Sequence, residues 1–189
     1  IMSGAAGSSQ WMYASGYTAE TSLKFNDDDA SYLTRTPASA GNRRTFTFSA
    51  WFKRGNVNSS GTRGVLFSAY SDSNNYTYIG FDDGGGGYDR LRVYSLTSSS
   101  AVIDFESTAQ FRDTSGWYHL VVSVDTTQGT SGNRVKIYIN GEQVTAWATS
   151  TEPSEDYDTF VNNTVNHSIG SFNNASSYFD GYMAEVNLV

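Results

Sequence analysis

Cysteine is absent from this 189-residue chain, and proline occurs only twice. Without cysteine there are no disulfides, thiolate metal sites or cysteine nucleophiles, and the redox state of the compartment cannot be read. No apolar run approaches the roughly 20 residues that a membrane-spanning helix needs. The opening IMSGAAGSSQW also lacks the charged and hydrophobic regions of a secretion signal. A soluble chain with no membrane partner is therefore expected. Positive charge is scarce as well: 12 Lys and Arg stand against 19 Asp and Glu, a net charge of −7. The excess is C-terminal, because residues 137–189 hold seven acids and no base. Such a balance repels phosphate backbones and argues against nucleic acid as a partner. The nearest basic cluster, Arg43, Arg44, Lys53 and Arg54, reads as a solvated strand edge. The chain opens on Ile1 and stops inside an extended apolar pattern, as a processed or partial piece of something longer would.

What is present points to β-structure. Thirteen Tyr, 11 Phe, 4 Trp and 18 Gly, with many Ser, Thr and Asn, form a strand-rich composition with polar loops. In GWYHLVVSVD (116–125), Tyr118, Leu120, Val122 and Val124 fall on one side, and Trp117, His119, Ser123 and Asp125 on the other. That period of two belongs to a strand with one face in a core, and Val121 is the single exception. TFTFSAWFKR repeats it through Phe46, Phe48, Ala50 and Phe52, and NRVKIYINGEQV does so through Val135, Ile137 and Ile139. Asn140-Gly141 supplies the positive-φ pair of a tight hairpin. Weaker strands are expected in SLKF, SYLT, GVLFSAY, NYTYIGF, DRLRVYSL, AVIDF, HSIGSF and YFDGYMAEVNLV, separated by turn-rich pieces such as DDGGGG. About a dozen short strands in one domain of this size require two packed sheets. Residues 1–21 differ, being rich in Gly, Ala and Ser with Trp11, Met12, Tyr13 and Tyr17 embedded. They are expected to form a docking arm, on this domain or on a neighbour, with a disordered tail as the alternative. Residues 22–189 are expected to form the sandwich.

The ordered series SLKFNDDDASYLTR, FTFSAWFKR, GWYHLVVSVD, VKIYINGEQV and NHSIGSFNNASSYFDGYMAEVNLV resembles the laminin-G-like domains of the concanavalin A-like lectin and glucanase superfamily. Within it, FNDDDASYLTRT, GNRRTFTFSAWFKRG and FDGYMAEV are most similar to laminin-G-like domains of tailed-phage virion proteins, in tail fibres, appendages and capsid decorations. The resemblance implies an all-β, jelly-roll-like sandwich of two antiparallel sheets. It also implies a place on the surface of a virion, among other virion proteins or copies of itself in a symmetric assembly. It says little of function, because this architecture hosts lectins, hydrolases and adhesion modules.

Enzymes, metals and sugars each leave a different signature. Glucanases of the superfamily carry three acids at alternate positions on one strand, and no such triplet is present. EPSED (152–156) surrounds Pro153 and reads as a loop, while DFE (104–106) offers two acids on one face without a third. His119 and His167 have no nucleophile at a recognisable spacing and read as structural or surface residues. The expectation is a non-enzymatic protein with no catalytic residues. For metal, FNDDDASY crowds Asn26, Asp27, Asp28 and Asp29 beside the opening strand, and hard oxygen donors in a turn are what calcium needs. Family members often hold one calcium at the sheet rim, which makes Asp29 the ligand of choice; the plainer reading is a solvated acidic turn. For carbohydrate, Tyr70, Tyr76, Tyr78, Tyr88, Tyr94, Trp147, Tyr157 and Tyr178 supply candidate platforms in or near loops and strand ends. The sequence does not choose among them, and rings packed on sheet faces are the competing account. Two functions stand side by side: a structural component of a phage particle, and a carbohydrate-binding module for host-surface glycans, calcium-dependent if Asp29 holds an ion.

Overall fold

A computed structural model describes residues 21–57, 64–81, 89–173 and 176–189. Among these described residues thirteen strands run in chain order: β1 Leu23–Phe25, β2 Leu33–Arg35, β3 Thr45–Arg54, β4 Gly64–Asp72, β5 Asn75–Phe81, β6 Arg90–Thr97, β7 Ser100–Gln110, β8 Tyr118–Asp125, β9 Val135–Ile139, β10 Glu142–Gln143, β11 Trp147–Thr151, β12 Asn166–Ile169 and β13 Gly181–Leu188. The helical content of the described residues is one 3-10 turn, Ser131–Asn133. The strands form two sheets, a six-stranded one ordered β1-β13-β3-β8-β9-β10 and a seven-stranded one ordered β11-β7-β6-β5-β4-β12-β2. Every pairing is antiparallel, so the expected two-sheet sandwich is what the chain builds.

The alternation read from the sequence sets which face of each strand is dry. In β3, Phe46, Phe48, Ala50 and Phe52 are buried, and in β8 so are Leu120, Val122 and Val124. Register places Phe48 opposite Val122 and Ala50 opposite Leu120, one continuous apolar surface on the six-stranded sheet. The seven-stranded sheet answers with Phe67, Ile79, Phe81, Leu91, Val93, Ile103 and Phe105. Rings meet across the gap: Phe48 and Phe67 lie 5.2 Å apart, and Phe52 and Phe81 5.4 Å. The Asn140-Gly141 hairpin is as read, with φ of 52° and 84° at the two residues between β9 and β10.

Two features differ from the sequence reading. Strand β11, in AWATST, has no run of apolar alternation, because it is an edge strand paired to β7 alone with a bulge after Trp147. Arg54 is not part of a solvated strand edge. It is 2% exposed, bonded to Asp89 at 2.8 Å and to the Phe111 carbonyl at 2.6 Å, with its guanidinium 4.4 Å above the Phe81 ring. Arg112 takes the other oxygen of the buried Asp89 at 3.0 Å. This cluster ties the end of β3 to the start of β6 and the end of β7, and so bolts one sheet to the other.

Candidate functional site

Antiparallel register decides which side chains share the outer face of the seven-stranded sheet. Tyr94 lies opposite Asp104 on one side and Tyr78 on the other; Tyr78 lies opposite Ser68, and Ser68 opposite Ser168. One row along, Tyr76 lies opposite Tyr70. Since Ile79, Val93, Ile103 and Phe67 point inward on the same four strands, these tyrosines point outward. They form one cluster: Tyr70–Tyr76 centroids are 6.2 Å apart, Tyr76–Tyr94 5.9 Å and Tyr78–Tyr94 5.6 Å. Phe172, in the loop after β12, stands edge-on to Tyr70, Tyr76 and Tyr78 at 5.3, 4.9 and 6.0 Å. Its loop is held down by the Ser68 hydroxyl donating to the Ser171 carbonyl at 2.9 Å. Tyr78 is buried beneath its neighbours, while Tyr70, Tyr76 and Tyr94 are half-buried.

The polar groups beside this platform are matched in pairs. Arg92 clamps Asp104 through two hydrogen bonds of 2.8 Å and lies 4.7 Å over the Tyr94 ring. Arg90 bonds Glu106 at 2.9 Å. The two acids of DFE therefore do share a face, as their spacing predicts, and both spend oxygens on arginines. A retaining or inverting glycosidase needs one carboxyl group to protonate the leaving oxygen and another to attack or to activate water. Here each is already engaged by a guanidinium. The arrangement suits hydroxyl-rich ligands, which stack apolar ring faces on aromatic side chains and exchange hydrogen bonds with fixed polar groups.

The remaining sequence candidates lie apart from this cluster. Trp147 packs edge-on against Phe105 at 5.1 Å and belongs to the core margin. The Tyr157 hydroxyl bonds Thr97 at 2.6 Å, and Tyr178 lies 6.2 Å from Tyr32. Tyr88 falls outside the described residues. His119 stacks on Trp51 at 4.8 Å on the other sheet. His167 is buried; its Nε2 accepts from the Asn162 N–H at 3.0 Å and its Nδ1 faces the Val165 carbonyl at 2.8 Å. That pairing suits a neutral ring with its proton on Nδ1, and burial pushes its pKa below the usual histidine value. Phe172 and Arg92 were not visible as site residues in the sequence. The register that brings them to the tyrosines is a tertiary property, and the Arg92-x-Tyr94 alternation is the one signal available beforehand.

Asp29 closes the turn that follows β1. Its Oδ2 accepts from the Asn26 amide at 2.7 Å, and the turn is tightened by Ala30 N–H to the Asp27 carbonyl at 3.2 Å. Asp27 accepts from Asn56 at 3.1 Å. Asp180 lies near enough to Asp27 and Asp28 to feel their charge; burial first, and then these two acids, raise its pKa above the ordinary aspartate value. Among the described residues no three acidic or imidazole side chains stand close enough to share an ion. The donor set at this turn thus falls short of the six to eight oxygens calcium prefers unless backbone carbonyls complete it.

Sandwich topology, the tyrosine platform and paired flanking charges together define a lectin-like β-sandwich domain. The chain belongs to the concanavalin A-like lectin/glucanases superfamily, whose laminin G family model matches residues 9–189. No curated protein matches it in sequence. Its fold is similar to tailspike protein 2 of bacteriophage CBA120 (TM-score 0.58, 10% identity, covering 88% of this chain and 25% of that one). It is also similar to the mouse laminin α1 chain (TM-score 0.55, 12% identity, 92% and 42% covered). A third is domain 4 of AbnA, an arabinanase of Geobacillus stearothermophilus solved with arabinotriose (TM-score 0.53, 22% identity, 80% and 61% covered). The chain thus spans less than two thirds of each of these three structures, and at such identities the likeness is one of fold. Among the described residues no helix is long and apolar enough to cross a membrane.

Proposed function

We propose that the chain is a non-catalytic component of a bacteriophage particle whose sandwich binds surface glycans of the host through the outer face of the seven-stranded sheet. The observation that carries this reading is the fixed tyrosine cluster, Tyr70, Tyr76, Tyr78 and Tyr94 under Phe172, beside acids already clamped by Arg90 and Arg92. Such a face offers stacking and hydrogen bonding with no uncommitted carboxylate pair. The likeness to a phage tailspike supports the particle setting, and the likeness to an arabinanase domain solved with arabinotriose supports the sugar. Residues 1–21, of which 1–20 lie outside the described residues, serve in this reading as an arm that docks the sandwich to the particle or to an adjacent copy. Calcium, with Asp29 as ligand, belongs to this reading only as an accessory of the rim turn.

A glycan array run with and without a chelator tests it. Neutral glycans are expected to bind, and Tyr76→Ala to weaken the signal about tenfold. A silent array in both conditions would favour a purely structural decoration, and a ligand shortened in a reducing-end assay would revive an enzyme. Loss of signal with the chelator alone would bring calcium to the centre. Removing residues 1–21 should change oligomer size or particle attachment; no change in either would refute the role of the arm.

A further inference from the structure

The chain has three lysines, Lys24, Lys53 and Lys136, and register carries all of them to one surface. Lys24 lies opposite Tyr182, and Tyr182 opposite Lys53, while the buried Phe25, Phe52 and Met183 beside them point into the core. Lys136 lies between the buried Val135 and Ile137, opposite Ser123. The outer face of the six-stranded sheet therefore holds the ammonium groups of all three lysines. The arginines are used differently: Arg44, Arg54, Arg90, Arg92, Arg112 and Arg134 are committed to ion pairs. None of the lysines forms an ion pair among the described residues.

The same surface carries three of the four large aromatic rings that are most exposed among the described residues, the fourth being Tyr32 just before β2. Trp51, Trp117 and Tyr182 are 39%, 40% and 38% exposed. Phe52 pairs with Tyr118, so Trp117, the residue before β8, continues that register beside Lys53, and the row Lys24 on β1, Tyr182 on β13 and Lys53 on β3 ends at Trp117. In the next outward row Trp51 lies between Ala184 and His119, with the His119 ring stacked on it at 4.8 Å. Tyr182 and Trp117 are two strands apart, about 9.6 Å from the usual inter-strand spacing. Lys136 sits six residues further along the strand direction than Lys53, about 20 Å away. The acids of this face and its margin are Asp125 on β8, opposite Thr45 and bonded by Thr127 and Gln128; Asp113, held by Ser115 and near enough to Lys53 to feel its charge; Asp180, which feels Lys24 in the same way; and the exposed Glu185 on the bulge of β13.

Rings grouped on one face and interleaved with ammonium groups, unlike apolar side chains scattered singly, point to a partner, and two kinds can be told apart here. Protein interfaces are enriched in aromatic residues and arginine but depleted in lysine, and this face has lysine alone as its cation. Alternating rings and ammonium groups instead match a sugar acid, whose ring stacks while its carboxylate meets the charge. We propose that the outer face of the six-stranded sheet binds an acidic polysaccharide, its rings lying on Trp51, Trp117 and Tyr182 and its carboxylates on Lys24 and Lys53, with Lys136 extending the track. This site lies on the opposite sheet from the tyrosine platform and takes a charged rather than a neutral ligand.

Binding of the full chain to polygalacturonate, followed by biolayer interferometry, tests the proposal, with neutral dextran, dextran sulfate and poly-glutamate as comparisons. The intact chain should bind polygalacturonate, weaken as salt rises, and ignore dextran. Lys24→Gln/Lys53→Gln and Trp117→Ala should each weaken binding by about tenfold, while Lys24→Arg/Lys53→Arg retains it and Tyr76→Ala leaves it untouched. Each exchanged residue is partly exposed, so a melting curve verifies that the variants fold. Loss of polygalacturonate binding in Tyr76→Ala would place that ligand on the other sheet and refute the proposal. It is also refuted by no binding at low salt, by full binding in Trp117→Ala, by dextran sulfate binding equally with no need of Trp117, or by tighter binding of poly-glutamate, which would make the partner a protein.

Discussion

Replacing Asp89 by Asn keeps the size of the side chain, removes one charge from the buried cluster that joins the two sheets, and turns an NH2 donor toward one of the two guanidinium groups that the carboxylate oxygens accept from. Asp89 adopts φ of 65°, a left-handed conformation that asparagine also tolerates. The side chains of Arg54 and Asp89 are 2% and 1% exposed. Burial is the strongest influence on the Arg54 guanidinium and lowers its pKa, while the bond to Asp89 opposes it. Removing the carboxylate charge leaves a buried guanidinium without its counter-ion, a loss of about 3–5 kcal/mol for pairs of this kind. Arg54 keeps the Phe111 carbonyl and the Phe81 ring, which places the expectation toward the lower end. For a domain of this length each kcal/mol lowers the melting midpoint by about 2–4 °C, so a fall of roughly 6–12 °C follows from about 3 kcal/mol. Urea titration with a two-state fit measures the free energy directly. The double variant Asp89→Asn/Arg54→Met should recover part of the loss, since an apolar side chain of similar length does not need a counter-ion. A loss below about 1 kcal/mol for Asp89→Asn would refute the reasoning, because that is the range of exposed pairs.

Other outcomes follow from the same physical reading. Gly141→Ala, at φ of 84° in the hairpin turn, should cost about 1 kcal/mol by urea titration, while Gly181→Ala should prevent folding, because a Cβ there overlaps the Lys53 carbonyl. His167 has its pKa lowered by burial, so the unfolded chain binds its proton more readily. Its contribution is complete above the ordinary histidine pKa of about 6.5 and is lost as pH falls through that value toward the folded one. The difference in melting temperature between the native chain and His167→Gln should therefore narrow from pH 7.5 to pH 5, and a constant difference would contradict the assignment. Glu152 and Asp180 act in the opposite sense, since burial raises both: their folded-state advantage exists at low pH and is lost as pH rises through the raised values. Comparing variants, rather than reading the native curve alone, isolates the histidine.

The sheets were legible because a period of two is written into the strands that face the core. TFTFSAWFKR and NYTYIGF coincide with β3 and β5, and Asn140-Gly141 announced its own turn. Strand β11 was not legible, since an edge strand with one neighbour needs no strict alternation. The buried role of Arg54 was hidden for a related reason. Its partners, Asp89 and the Phe111 carbonyl, stand far along the chain, and a terminal strand arginine looks solvated until the other sheet closes over it. Of the aromatic candidates, four of the tyrosines converge because β4, β5 and β6 are sequential antiparallel neighbours, whereas Trp147, Tyr157 and Tyr178 were drawn elsewhere by Phe105, Thr97 and Tyr32. Acid pairing on Asp104 and Glu106 likewise depends on cross-strand register, which spacing along one strand does not reveal.

Calorimetric titration of the strongest neutral glycan from the array into the native chain, Tyr76→Phe and Tyr76→Ala tests the tyrosine platform most directly. Tyr76→Phe keeps the ring and should bind as the native chain does, while Tyr76→Ala should lose about 1.5 kcal/mol, roughly tenfold in affinity. Equal affinities for all three would move recognition away from this sheet and contradict the account.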